Sequence, residues 1–222
     1  MGKTILVVVA HSDDEALGCA GSIAKHVASG DHVHVLFMTD GVGSRNGDDK
    51  AVAKRQTLAQ KAAEIIGVTL IRSLNFPDNK MDSVPLLYVT QAVEKAILEI
   101  QPEVIYTHHI GDLNVDHQIT HKAVMTACRP QPRFCVKEIY AFEVLSSTEW
   151  QTVGLSPFMP NVFVDITGYI ETKRKVLNTY CDEMREEPHS RSIDNVINLA
   201  KVRGCSVGVK YAEAFISLRE LK

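Results

Sequence analysis

Two short stretches of the chain concentrate side chains that can hold a cation or move a proton: Ala10-His11-Ser12-Asp13-Asp14-Glu15 and His108-His109-Ile110-Gly111-Asp112-Leu113-Asn114-Val115-Asp116-His117. In the first, imidazole and carboxylate are donor types that suit Zn²⁺. His11 and Asp14, three residues apart, can converge on one ion while Asp13 points elsewhere. Ser12 to Glu15 also reads as a capping box with Ser12 at N-cap and Glu15 at N3. Capping gives His11 no role, however, and does not require two adjacent Asp. In the second stretch and just beyond it, four of the nine His (108, 109, 117 and 121) fall within 14 residues. A His, Asp, His set with positions left for water is a catalytic rather than a structural zinc arrangement. His117 and His121, spaced i, i+4, could both face one ion as in H-E-x-x-H helices, but no Glu follows His117. His121 is therefore read as a helix-face residue, and His26, His32, His34 and His189 as structural or surface residues.

Both clusters follow a predicted strand directly, which would bring them together. Residues 4–10 are a continuous aliphatic run, the pattern of a strand buried on both faces of a parallel sheet. A helix over Glu15–Ser29, stopped by Gly30-Asp31, and a strand over His32–Thr39 complete a βαβ unit. The pattern then predicts a helix over Lys50–Ile66 ended by Gly67, a strand over Val68–Leu74, a helix over Val84–Ile100 stopped by Gln101-Pro102, and a strand over Glu103–Thr107. Asp116–Cys128 reads as helix and Lys137–Glu143 as a fifth strand. After Glu143 the alternation ends in a loop with Pro157 and Pro160, a strand over Asn161–Ile166, and two helices near Gly168–Met184 and Ser192–Arg203. The fold class is α/β, with a mostly parallel sheet and a C-terminal cap of helices, over one domain of residues 1–222. Ligands of such sheets sit beyond the carboxyl ends of the strands, so both clusters belong to one rim. Three carboxylates where a dinucleotide-binding turn would carry G-x-G-x-x-G would repel a pyrophosphate.

Composition narrows the classes. With 45% hydrophobic and 23% charged residues over 222 positions, the chain is an ordinary globular protein. The 24 basic residues are scattered against 27 acidic ones, so the basic stripe that nucleic acid needs is missing. No apolar run reaches the ~18 residues of a membrane span, and the start of the chain does not resemble an export signal. Five Cys without a C-x-x-C pair point to reduced thiols in a cytoplasmic protein rather than a disulfide framework.

A-H-S-D-D-E and H-H-I-G-D-L-N-V-D-H resemble the two motifs of the PIG-L/LmbE family of zinc-dependent N-deacetylases, A-H-P-D-D-E and H-x-x-x-D-x-N-x-D-H. The resemblance extends to T-D-G at 39–41, Arg55 with Ala62-Ala63 and Ile66-Gly67, F-P-D-N at 76–79, and R-G-C-S-V-G-V-K-Y-A-E-A-F at 203–215. It implies a Rossmann-like fold with helices on both faces of the sheet. It further implies that His11, Asp14 and His117 bind Zn²⁺, with Fe²⁺ admitted by the same donors, that Asp13 is the general base, and that Arg55 and Asp78 hold sugar hydroxyls. A small-molecule amino sugar or sugar conjugate is the implied substrate, and a homo-oligomer is compatible. Three departures stand out: Ser12 replaces the usual Pro, Leu58 replaces a Glu three after Arg55, and Asn114 stands where some branches carry a His.

The implied reaction is amide hydrolysis. The ion makes water nucleophilic near neutral pH, Asp13 takes its proton and later protonates the leaving amine, and Asn114 or a nearby His helps to hold the oxyanion. Asp116 is grouped with these catalytic residues, and Asp112 and Asp116 are candidates for orienting the ligand imidazoles. Trp150 and Phe158 are candidates for stacking on a sugar. Two other readings are a metal-dependent amidase on a non-sugar substrate and a non-catalytic nucleotide or sugar-nucleotide module using Gly41-Val42-Gly43-Ser44 as a phosphate nest.

Overall fold

The computed structural model describes residues 2–41, 49–132 and 134–222. In chain order the elements are β1 (Thr4–Val9), α1 (Asp14–Ala28), β2 (His32–Thr39), α2 (Asp49–Ile66), β3 (Leu70–Phe76), α3 (Leu86–Ile100), β4 (Val104–His108), α4 (Val115–Ala127), β5 (Glu138–Phe142), β6 (Val162–Asp165), α5 (Ile170–Thr179), α6 (Ile193–Cys205) and β7 (Ala212–Glu220). The strands form one sheet in the order β3-β2-β1-β4-β5-β7-β6. The first five are parallel, and β7 runs antiparallel between β5 and β6.

β1 shows why both faces are covered. Its residues from Ile5 to Val9 are all fully buried, and they alternate between two cores. Ile5, Val7 and Val9 join the core that includes α1, α2, α5 and α6, whereas Leu6 and Val8 join the one beneath α3 and α4. Turn chemistry fixes the helix ends. Gly67, at φ +86, takes the left-handed conformation after α2 and donates its N–H to Ala63 O at 2.8 Å. That turn absorbs Val68 and Thr69, so β3 begins two residues later than the spacing predicts. Gln101, at φ +51, closes α3 just before Pro102.

Two expectations are corrected. α1 begins at Asp14 with Asp13 as its N-cap, so Ser12 does not cap it. The chain turns out of β1 at Asp13 itself, at φ +150, and only the Glu15 half of the box forms, with Oε2 accepting the Asp13 N–H at 3.1 Å. The C-terminal region, for its part, is not a helical cap alone. α5 and α6 do pack over the α1 face, but the segment after them returns as β7 between β5 and β6. β7 sends Phe215 to one core and Leu218 to the other, as a strand with two buried faces does. The proposed phosphate nest falls largely on residues 42–48, outside the described residues.

The chain winds outward from β1 through β2 to β3, then crosses back to the other side of β1 to form β4. The topological switch point therefore lies between β1 and β4, where loops diverge and leave a crevice. Both sequence clusters open into it.

Candidate metal centre and active site

The β1–α1 turn supplies His11, Asp13 and Asp14, and the first turn of α4 supplies His117. His11 Nδ1 lies 3.3 Å and His117 Nε2 3.4 Å from Asp14 Oδ2. One donor atom from each of the three residues falls within 4.8 Å of the others. Ion–ligand bonds of about 2.0–2.1 Å place tetrahedral donors about 3.3–3.4 Å apart, so the observed edges fit a small divalent ion. The electrostatics agree. Burial disfavours protonating His117, but Asp14 and Asp112 outweigh it and raise its pKa to about 9. His11 is likewise raised well above its ordinary value, because Asp116, Asp14 and Asp78 overcome its burial. A field that favours a proton on each imidazole also favours a cation between them.

Each ligand-type imidazole has its other nitrogen beside a carboxylate, and for His11 a hydrogen bond to Asp116 orients the ring. His117 Nδ1 is 3.1 Å from Asp112 Oδ1, and His11 Nε2 is 3.2 Å from both Asp116 Oδ2 and Asp78 Oδ1. Asp112 accepts from Ser147 Oγ, from Thr148 Oγ1 at 2.7 Å and from the Asn114 N–H at 2.9 Å. Burial would raise its pKa, yet His117 and the Ser147 bond bring it to about 2. Asp116 is fully buried and accepts from the backbone N–H of Asn79 at 2.7 Å and of Met81 at 3.0 Å. It clamps the 78–81 turn to His11 and does not line the cavity. His11, Asp78 and Asp116 also bring one donor atom each within 4.8 Å of the others, although Asp116 lies off the cavity wall.

His108 has a part that its residue type alone does not reveal. Its ring stacks on His117 with centroids 3.8 Å apart and planes 14° apart. Its Nε2 accepts the Ala10 N–H at 2.9 Å, which ties the end of β4 to the end of β1. The Nε2 lone pair is thereby engaged, so His108 supports the centre without joining it. Burial and the neighbouring His117 lower its pKa to about 4. His121 Nδ1 bonds the His108 carbonyl at 2.8 Å, the helix-face role read from the sequence, and His121 is absent from both donor groups.

Asp13 sits beside the donors on the wall of a cavity of about 160 Å³, lined also by Arg55, Asp78, Asn79, Asn114, Glu183 and Arg191. Its φ of +150 is strained for a non-glycine residue, the kind of outlier that surrounding bonds must hold in place. Here the holding groups are Arg191 Nη1, 3.2 Å from Oδ2, and Arg55 Nη2, 3.8 Å from Oδ1. Burial raises the Asp13 pKa and Asp14 adds to the rise; the two guanidinium groups oppose it, and the net shift is upward. Arg55, left without a Glu at position 58, is paired instead by Glu183 at 2.7 Å. Asn114 caps α4, with Oδ1 on the Asp116 N–H at 2.8 Å and Nδ2 on Asn79 Oδ1 at 3.0 Å.

Sequence reasoning missed Arg191, Glu183, Ser147 and Thr148, all on connecting segments with no motif to mark them. His189, read as a structural or surface residue, lies in the loop that delivers Arg191, and its Nδ1 accepts the Arg191 N–H at 3.0 Å. Glu143 turns toward Arg203 in a two-pronged pair at 2.8 and 2.7 Å. Phe158 is a packing residue, edge-on to His109 at 5.4 Å and under the Arg203 guanidinium at 5.7 Å. Trp150 packs edge-on to His189 at 5.6 Å and stays half exposed.

The same arrangement of elements recurs in known proteins. The conserved protein TT1542 from Thermus thermophilus superposes with a TM-score of 0.80 over 99% of this chain and 96% of its own, at 23% identity. In sequence, the chain is 31% identical over 169 residues to a protein of Escherichia coli (strain K12) named uncharacterized deacetylase YaiS, covering 74% of this chain and 82% of that one. It is 28% identical over 239 residues to the diacetylchitobiose deacetylase of Thermococcus kodakarensis, covering 95% and 81%. The family model described as PIG-L, GlcNAc-PI de-N-acetylase, matches residues 6–128. That stretch is more than half of the chain and includes both clusters that meet at the switch point, and by it the chain belongs to the PIG-L family.

Proposed function

We propose that this chain is a metal-dependent hydrolase that removes an acetyl or related acyl group from the nitrogen of an amino sugar or sugar conjugate, with Zn²⁺ or Fe²⁺ held by His11, Asp14 and His117. The observation that carries this reading is the pair of donor edges at 3.3 and 3.4 Å beside a buried, strained Asp13 in one cavity. Family membership and the named deacetylases support the reaction class. The single sheet supports reading the chain as one domain, and five free thiols support a cytoplasmic setting. Among the described residues no helix is long and apolar enough to cross a membrane.

When bound, the ion supplies Lewis acidity, which makes water nucleophilic near neutral pH and stabilises charge on the amide oxygen. The residues do the rest. Asp13 accepts the proton as water oxygen bonds to the acyl carbon, and returns it to the nitrogen as the C–N bond breaks, so that acid and amine leave in balance. Arg191 and Arg55 hold its carboxylate in place. Asn114 keeps one amide hydrogen for the oxygen that gains charge. Arg55 and Asp78 face the cavity where sugar hydroxyls would lie. Asp112 and Asp116 aim the imidazoles, and we assign Asp116 to that role rather than to the reaction itself.

The test is elemental mass spectrometry on untagged protein, followed by acetate release from N-acetylated sugars. About one Zn or Fe per chain is expected, lost in His117→Ala and kept in His121→Ala. Asp13→Asn is expected to keep the ion and lose about 10²–10⁴ in kcat. Failure to bind either ion, or near-normal turnover by Asp13→Asn, would sink the proposal. Acetate from N-acetylated amines but never from sugars would move the substrate to the non-sugar amides.

A further inference from the structure

α1 is not one regular helix. Cys19, at φ −148 and ψ 16, breaks it five residues after Asp14, and a buried ion pair occupies the break. Lys173 of α5 and Glu213 of β7 are 2% and 5% exposed, and Lys173 Nζ lies 2.6 Å from Glu213 Oε1. In an unbroken helix the Leu17 carbonyl would accept the Gly21 N–H. Here Leu17 O accepts from Lys173 Nζ at 2.9 Å, and the Gly21 N–H donates to Glu213 Oε1 at 3.0 Å. The pair is thus inserted into that one helix bond. It also serves the neighbouring groups: Ala16 O accepts from Nζ at 3.1 Å, and Glu213 Oε2 accepts from the Ser22 N–H at 2.7 Å and from Ser22 Oγ at 2.6 Å.

The orientation follows from the backbone, because carbonyls end the first segment and N–H groups begin the second. A cation must face one and an anion the other. The first segment, residues 14–18, is seated on β5 at Gly18, where a Cβ would lie 2.3 Å from Phe142 Cδ2, and Phe142 in turn contacts His108 with ring centroids 5.0 Å apart. We propose that Lys173 and Glu213 are positioning residues: as an oriented pair filling the break in α1, they set the direction of the short segment that carries Asp13 and Asp14 to His117. This rests on the hydrolase reading above and gives a role to the glutamate of the Y-A-E-A-F stretch.

The test compares Lys173→Met, Lys173→Arg and the exchanged pair Lys173→Glu with Glu213→Lys. The readouts are Zn²⁺ affinity, kcat and KM, and amide exchange over residues 16–22. Lys173→Met is expected to bind Zn²⁺ about 10–100-fold more weakly and to lose kcat by a similar factor, the range found when groups supporting metal ligands are removed. KM should stay within about twofold, because the pair does not touch substrate. Lys173→Arg should recover much of the loss. The exchanged pair should not, since it sets an anion against the carbonyls of Ala16 and Leu17; rescue by exchange would overturn the proposal, as would a Lys173→Met protein with reduced Tm but normal Zn²⁺ affinity and kcat. Should Lys173→Met fail to fold, Ser22→Ala removes only the hydroxyl bond to Glu213, and a few-fold loss of Zn²⁺ affinity is expected against no change if the pair is structural alone. Faster amide exchange at Gly21 and Ser22 in Lys173→Met than in the wild type is expected without metal or substrate, and unchanged exchange there would overturn the proposal even if the wild-type protein binds no ion.

Discussion

Asp13 holds a buried carboxyl group between two guanidinium groups, on a backbone turn that an ordinary residue avoids. Removing either partner would free a strained residue to relax, so its position depends on side chains far away in the chain. His11, Asp13 and Asp14 were legible in the sequence as a donor-rich turn after a strand, and the family resemblance singled out His117 and the base role of Asp13. Arg191 and Glu183 were not, since an arginine or glutamate on a connecting loop has no periodicity to mark it. The same contrast of environment governs the five thiols. Burial pushes the Cys128 thiol up to about 12 and Cys19 well above its ordinary value, whereas Cys181 and Cys205 are exposed. Because the thiolate is the reactive form, iodoacetamide at pH 8 should label Cys181 and Cys205 first, and Cys19 and Cys128 only after unfolding. Peptide mass spectrometry of the folded and denatured protein checks this, and labelling of Cys128 in the folded state would contradict its placement.

At the scale of elements, helix ends and breaks decide where the site residues point. α4 is capped by Asn114, which belongs to the second cluster, so one residue both starts the helix and fixes the turn that presents His117. The break in α1 needed partners that no local pattern provides. α3 offers a separate test of terminus chemistry: Gln101 sits at φ +51, ψ +55, where a side chain costs roughly 1–2 kcal/mol and glycine does not. Against the extra flexibility glycine gives the unfolded chain, Gln101→Gly should stabilise the protein by about 0.5–1 kcal/mol, read from a urea midpoint. A fall in the midpoint would show that the Gln101 side chain contributes contacts that outweigh the strain.

For the whole molecule, the parallel half of the sheet brings the two motifs to one switch point, and the C-terminal third completes the site from the side. Arg191, Glu183, Lys173 and Glu213 all come from this later part of the chain, so the site assembles only when the sheet and its C-terminal additions have packed together. Any ion held by His11, Asp14 and His117 would bind the folded state alone. At a concentration 100-fold above its Kd it should add about 2.7 kcal/mol of stability, or a rise in Tm of about 5–10 °C for a chain of this size. Thermal melts with EDTA and with added Zn²⁺ measure this, and His117→Ala should abolish the rise. Coincident melts for the wild-type protein in the two conditions would count against a metal centre.

The sequence by itself determined the α/β class, the five parallel strands and most helix boundaries, because apolar periodicity and glycine or proline stops are local signals. It also marked the donor-rich turns that follow β1 and β4, because imidazole and carboxylate suit a cation, while the family resemblance named His11, Asp14 and His117 among them. Only the tertiary structure decided that Asp13 rather than Ser12 occupies the N-cap position of α1, that the chain returns as β7 inside the sheet, that Glu183 pairs Arg55 and that Arg191 pairs Asp13. Each of these is a contact between segments distant in the chain, or a backbone turn imposed by such contacts. Their energies come from burial and charge pairing that exist only once the segments meet, and nothing in the local order of residues encodes which partner will be there.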